Sequence, residues 1–377
     1  MELTSSHSIE VPATGAAVCD SGRFHLSPTA SITTLAALAV GLIAAAILPA
    51  YMAARGHGQP APIDLIRAAA SNSNLRGLMA AAVFIIPALV WAAVLERRFP
   101  LDESRPTISR PRGWWFDLFW YFNISIRQVT WIPLFVLLLV WIKSHLLGNF
   151  ELSASGVVPR LALLAVGILI GDFLGYVCHM AQHRFGFLWH FHAVHHSQLE
   201  LNFFTQDRVH DFDTLTQLSI RLLPIMILSP GLEEIFAYYI VFSTYTRLYH
   251  CPIRSNYGLL RYFLVTPQSH RVHHSSDPSH YNSNFGIILT IWDRIFGTAY
   301  PSYDDYPSMT GSGDSAFPVE QGKPPREWAQ VYAAQLVYPF VKVGRLASES
   351  VERKRFKSAR SPRMALDPQQ SGIQDAG

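Results

Sequence analysis

The sequence is poor in charge. Only 15% of its 377 residues are Asp, Glu, Lys or Arg, where soluble domains carry about 25%, and the mean hydropathy is +0.18. That deficit argues against an ordinary soluble enzyme. A formal net charge of +3 leaves no electrostatic reason to expect a nucleic-acid partner. Cysteine is scarce: Cys19, Cys178 and Cys251 are odd in number and far apart, which excludes a disulfide framework and a zinc ribbon. No HExxH occurs, and neither HMAQH nor the two HxxHH segments contains a glutamate, so the helix-borne zinc-hydrolase arrangement is missing its base. No internal repeat is visible.

What the chain has instead is apolar runs. Ile32 to Ala54, Leu75 to Leu95, Thr130 to Leu147 and Val157 to Cys178 are each near the roughly 20 residues that span a bilayer. Residues 1–30 read as a flexible tail rather than a signal peptide. Gly56 to Ser73 is a polar connector, and Pro100 to Arg112 reads as a loop. Trp114 to Trp120 reads as an interfacial aromatic segment. Leu215 to Leu228 and Ile235 to Leu248, separated by Pro230–Gly231, form a pair that dips into or crosses the membrane.

Basic residues cluster after the second run (Arg97, Arg98, Arg105, Arg110, Arg112) and again from Lys342 to Arg363, where cytosolic segments carry charge. Placing loop 96–112 in the cytosol returns the chain there at His179 and again at His250. All histidine-rich segments then share one side. The expected fold is an all-α membrane protein, a transmembrane helical bundle with a cytosolic histidine-rich helical cap. Its expected divisions are the tail 1–30, transmembrane helices and basic loop over 31–156, a catalytic domain over 157–300, and a cytosolic segment over 301–377, disordered over its last 25 or so residues.

Histidine is in excess: 12 of the 16 lie between His179 and His280. His179 and His183 are four apart and share a helical face. His192, His195 and His196 form a second box. His270, His273 and His274 repeat its spacing, and His250 stands between them. Imidazole ligates iron, zinc, copper or nickel, and one structural zinc needs only four ligands. Eight boxed histidines, with His250 as a ninth candidate, suit two ions with open positions. A lone histidine carries little weight, but two identical triads and a pair beside a bilayer, where polar groups are costly, imply a role.

Asp172, seven residues before His179, could orient an imidazole N–H, or pair with an arginine instead. His190 could support the ligands or be structural, and His210 reads as structural on the polar surface, with a supporting or ligand role as the alternative. His280 reads as supporting or surface, and His7, His25, His57 and His145 as unrelated. Trp189, Phe191, Phe203 and Phe204 could line a lipid pocket, though packing explains each one as well.

The stretch from Asp172 to Ser197, DFLGYVCHMAQHRFGFLWHFHAVHHS, resembles the fatty acid hydroxylase and sterol desaturase superfamily, whose pattern runs Asp, HxxxH, Leu-Trp and HxxHHS. TPQSHRVHHSSDP followed by NFGIILTIWDRIFGT, within Thr266 to Thr298, resembles its third box and tail. His250 with CPIRSNYG resembles the isolated histidine between boxes. The resemblance covers about residues 160–300. One departure is Met180, where many members place Arg.

The resemblance implies a helical membrane fold with a di-iron centre, O2 as oxidant, a lipid substrate such as an acyl chain, sterol or related isoprenoid, and hydroxylation or desaturation of its C–H bond. No cytochrome b5 motif is present, so electrons are expected from a separate reductase, ferredoxin or cytochrome b5-like donor. Spacing alone leaves zinc open as the ion, or as its substitute after purification. A zinc hydrolase or a non-catalytic metal carrier is the competing reading.

Overall fold

The computed structural model describes residues 86–101, 112–146, 156–228 and 242–360. The tail 1–30, the run Ile32 to Ala54, most of Leu75 to Leu95, the Pro230–Gly231 turn and residues 361–377 lie outside the described residues. Among those described the chain is helical and forms no strand; three isolated bridges, Pro100–Ile253, Leu264–Leu289 and Ser275–Thr310, tie loops together.

In chain order the main helices are α1 (86–98), α2 (Arg112–Leu146), α3 (Val157–Arg184), α4 (Gly186–His192) and α5 (Asp211–Leu228). They continue with α6 (242–250), α7 (Pro267–His273), α8 (Ile291–Ile295) and α9 (Trp328–Arg360). Two differ from the sequence expectation. The aromatic segment Trp114 to Trp120 and the run from Thr130 are one continuous helix, α2. Its aromatic end is packed: Phe116 and Trp120 are buried in a cluster with Val194, Phe317 and Val331. The C-terminal segment forms the long helix α9, which includes residues 353–360 of the tail expected to be disordered.

Among the described residues one helix, Val158–Arg184, is long and apolar enough to cross a membrane, with a mean hydropathy of 2.2 over its best window. Only 33% of that window is buried inside the protein. Val158, Leu161, Val166, Leu169, Ile170 and Val177 face outward, as lipid contact requires and water would not favour. Leu134, Leu138 and Trp141 of α2 are likewise exposed. The other face of α3 lies along α5. There Gly167 lies against Ile225, and Leu139, Leu222, Ile225 and Met226 form a buried cluster. The C-terminal end of α3 thereby enters a polar, histidine-lined interior formed with α4, α6 and α7.

A buried ionic group braces this interior from one side. Arg208 donates to Asp117 Oδ1 at 2.6 Å and to Glu320 at 2.7 and 3.1 Å, and all three side chains are at most 1% exposed. Burial works against the charge on Arg208, but the two carboxylates outweigh it and raise its pKa above the ordinary value. Arg208 also donates to Ser197 Oγ at 3.2 Å, so the brace reaches the turn carrying His195 and His196.

Candidate metal centre

The three boxes are positioned by different local structures. His179 and His183 lie one turn apart near the end of α3. His192 ends α4, and His195 and His196 sit on a 3₁₀ turn that follows it. His270 and His273 lie on α7, with His274 as its C-cap. That helix starts at Thr266, whose hydroxyl accepts from the Ser269 N–H in a capping box, with Pro267 at the first position. A capping box satisfies two orphan donors, and proline there sacrifices no helical bond, so TPQSH sets where the third box begins.

These elements bring all nine expected ligands together in two adjoining groups. His179, His183, His192, His196 and His273 form one; His195, His250, His270 and His274 form the other. Within each group the candidate ligand atoms lie within 4.8 Å of one another, and every member is buried except the half-buried His183. The groups meet where the His196 and His274 rings stack at 4.1 Å. The partition follows the spacing. In both HxxHH boxes the first and last histidines, i and i+4, belong to one group, and the middle one, i+3, crosses to the other.

The nitrogens are arranged for a cation. His179 Nδ1 donates to the Phe285 carbonyl at 2.9 Å and His192 Nδ1 to Asp213 Oδ2 at 2.9 Å. On neutral rings this leaves both Nε2 atoms as lone pairs, and they face each other at 3.1 Å. Two acceptors at that distance do not bond without a cation between them. His273 Nδ1 donates to the Ser283 carbonyl at 2.9 Å, and the buried Nε2 atoms of His183, His196 and His273 have no partner among the described residues. In the second group His250 Nδ1 donates to the Thr246 carbonyl at 2.6 Å. Its Nε2 faces His195 Nε2 at 3.2 Å and His270 Nε2 at 2.9 Å. The donor set therefore fits metal ions.

Burial, reinforced by neighbouring imidazoles, holds His195, His196, His270 and His274 well below the ordinary imidazole range. Burial pushes His250 and His273 down to about 3, against the opposing hydrogen bonds to Thr246 and Ser283. The rings are thus neutral near pH 7, the form that ligates metal.

Asp213 was not singled out by the sequence, yet it holds His192. It also accepts hydrogen bonds from Gln182 and from Gln217, the latter at 3.0 Å. Burial would raise its pKa, but His192 and the hydrogen bond from Gln217 bring it below the ordinary carboxylate value. The only local hint was a carboxylate in HDFD at the start of an apolar helix.

Among the described residues Asp172 hydrogen-bonds to no histidine. Its oxygens accept from the Ile288 N–H at 2.8 Å, the Leu289 N–H at 3.2 Å and Trp292 Nε1 at 2.8 Å. It fixes the loop whose Phe285 carbonyl receives His179, so its influence on the ligands is indirect. Asp293 fixes the same loop, accepting from the Phe285 and Gly286 N–H groups at 2.7 and 2.8 Å. Gly286 is required there: a Cβ would lie 2.7 Å from the Leu289 carbonyl oxygen.

His210 belongs to neither group. Its Nε2 donates to the Leu336 carbonyl at 3.2 Å, its Nδ1 accepts from the Phe212 N–H at 3.0 Å, and it ties α9 to the start of α5. His190 is half-buried and also outside both groups. His280 bonds Ser275 Oγ at 2.8 Å, and His145 the carbonyl of Trp141. Of the aromatics, Trp189 packs against His183 and His196, Phe191 against His210 and Phe340, and Phe203 and Phe204 lie in a separate core cluster.

A cavity of about 130 Å³ opens onto the centre, lined by His179, His192, His195, His250 and His270 and walled by α5 and α6.

The model of the fatty acid hydroxylase family matches residues 164–298. Ornithine lipid hydroxylase OlsE from Rhizobium tropici is 32% identical over 187 residues, 50% of this chain and 53% of that protein. Alkylglycerol monooxygenase is 29% identical in Caenorhabditis elegans, over 37% of this chain and 27% of that protein. It is 34% identical in Danio rerio, over 36% of this chain and 30% of that protein. The chain thus spans about half the length of the bacterial relative and under a third of the animal ones. No solved structure matches. The matched segment begins within α3, ends just past α8 and contains all nine clustered histidines, and over this segment the comparisons support the fatty acid hydroxylase superfamily.

Proposed function

We propose that this chain is a membrane-embedded, O2-dependent oxidoreductase that hydroxylates a C–H bond of a lipid at a pair of iron ions. The observation that carries the reading is the pair of adjoining histidine groups with Nε2 lone pairs facing one another. His179, His183, His192, His196 and His273 would hold one ion, and His195, His250, His270 and His274 the other. Iron bound there would supply the redox chemistry that lets O2 attack an unactivated C–H bond. In balance, a C–H bond, O2, two electrons and two protons give an alcohol and water. Removal of a second hydrogen would give an alkene, but the relatives are named for hydroxylation and monooxygenation, which favours the alcohol.

The chain's own part is orientation and exclusion of water. Asp213 and the carbonyls of Phe285, Ser283 and Thr246 each fix one imidazole's tautomer, which keeps the ligating nitrogen aimed inward. The cavity beside the centre would take the lipid, and burial of the ligands keeps water from competing. The catalytic domain is residues 157–300, attached to a multi-pass membrane bundle with its histidines on the cytosolic side, and a separate protein donates the electrons.

The test is incubation of the purified, iron-loaded protein with lipid extract, a reductant and ¹⁸O2. One ¹⁸O atom in a lipid alcohol supports the reading. Reductant-dependent O2 uptake with no labelled lipid, or no uptake at all, counts against it.

A further inference from the structure

The cavity at the metal centre carries an arginine that the centre does not explain. Arg221 of α5 lines it together with Arg247 of α6, and apolar Leu218, Leu222, Phe242 and Ile287 complete that wall. The Arg221 side chain is 9% exposed. Its guanidinium lies over the Phe242 ring at 4.0 Å. Among the described residues it donates only within its own helix, from Nε to the Gln217 carbonyl at 3.3 Å and from Nη2 to Gln217 Oε1 at 3.1 Å. Nη1 is buried with no partner among the described residues. Asp172 is near enough to act on it electrostatically, but its hydrogen bonds come from Ile288, Leu289 and Trp292. Arg247 is paired with Asp207 at 2.6 Å, but its Nε is also buried without a partner. A buried cation with an unmet donor is costly, and the positive ions expected at the centre would raise that cost rather than relieve it.

We propose that Arg221, assisted by Arg247, receives an oxyanion, a carboxylate or phosphate, on the polar part of the lipid. Docking there would hold the lipid in the cavity that the histidines line. The planar guanidinium suits both groups, and an anion at this point would neutralise the buried charge. A neutral headgroup would bring no charge to the two guanidiniums or to the unmet Nη1 donor, so Arg221 sets specificity for anionic lipids. This rests on the lipid-oxygenase reading above, but binding tests it without turnover.

The experiment uses the full chain, purified in detergent with iron. Calorimetry compares dioctanoyl phosphatidate with dioctanoylglycerol, octanoate with octanol, and inorganic phosphate alone. In at least one pair the anionic member should bind about ten- to a hundred-fold tighter, the worth of a charge-assisted hydrogen bond or two. R221M, which keeps the stem packed against Phe242, should abolish that preference, and R221K should keep part of it. The pair that responds identifies carboxylate or phosphate. Inorganic phosphate binding as tightly as the phosphatidate would make the free ion the ligand and overturn the lipid part of the proposal.

Phenylglyoxal labelling of the wild type, mapped by peptide mass spectrometry, needs no variant. The anionic lipid should protect Arg221, and unchanged labelling overturns the proposal, as does an unchanged preference in folded R221M. Iron bound without anion preference defeats this inference alone. Protection of Arg221 in protein that takes up no iron would defeat the oxygenase reading and leave the oxyanion site standing.

Discussion

Asp213 offers the sharpest test of how the histidines are held. It is 2% exposed and receives His192 Nδ1 at 2.9 Å, Gln217 Nε2 at 3.0 Å and Gln182 Nε2. Asp213→Ala removes one acceptor for all three donors. The partner that orients a metal-bound imidazole is worth roughly ten- to a hundred-fold in metal affinity, or about 1.4–2.7 kcal/mol. Donors left unsatisfied in the interior cost about 1–3 kcal/mol each before relaxation, so stability falls as well. Asp213→Asn keeps an acceptor of the same shape but loses the charge, and should sit near the ten-fold end. The assay is competition for iron against a graded series of chelators, with retained metal measured by mass spectrometry and helical content by circular dichroism. An Asp213→Ala protein with native helicity and an unchanged chelator curve would refute the orienting role.

Other perturbations follow from the same geometry. His195→Ala or His273→Ala should abolish turnover while the protein still inserts into membranes, whereas replacing His145 should be mild; full activity in either of the first two contradicts the ligand sets. Gly286→Ala forces a Cβ to 2.7 Å from the Leu289 carbonyl oxygen and should cost about 1–3 kcal/mol, read as a lower melting temperature together with weaker iron retention. Arg208→Met leaves Asp117 and Glu320 buried without their cation and should destabilise by about 3–5 kcal/mol; a melting temperature equal to wild type would remove the bracing role. Burial raises Asp207 to about 6, even against Arg247. The folded state then binds this proton more tightly than the unfolded chain, so stability should fall as pH rises from about 4 to 6, by at most about 3 kcal/mol from this group. Asp207→Asn should flatten that part of the melting-temperature profile, and an unchanged slope would show that the shift is absent.

Much of the site was legible in the sequence because helical geometry converts spacing into proximity. An i, i+4 pair shares a face, and His179–His183, His192–His196 and His270–His274 each stay within one group. The middle histidine of each HxxHH box lies to the side of that pair and reaches the other group. Asp213 was not legible, because it meets His192 from 21 residues away through the packing of α5 on α3 and α4, which spacing does not encode. Asp172 was on the expected face, but backbone N–H groups and Trp292 reached it first.

Helix α9 was missed for a different reason. It contains no apolar run long enough to attract notice, although Trp328, Val331, Tyr332, Gln335 and Leu336 follow a helical period and pack on or bond to the α2 cluster. The aromatic start of α2 looked interfacial by composition, yet Phe116 and Trp120 are wholly buried. Composition reports what a segment can tolerate, not which neighbour covers it.

The central claim is that the nine histidines hold two iron ions, and metal content tests it most directly. The protein is purified in detergent after expression with iron available, and His273→Ala is prepared in parallel. The account predicts about two irons per chain in the wild type and loss of iron in the variant. Stable zinc with no uptake of iron would contradict it and point to a hydrolase or a metal carrier.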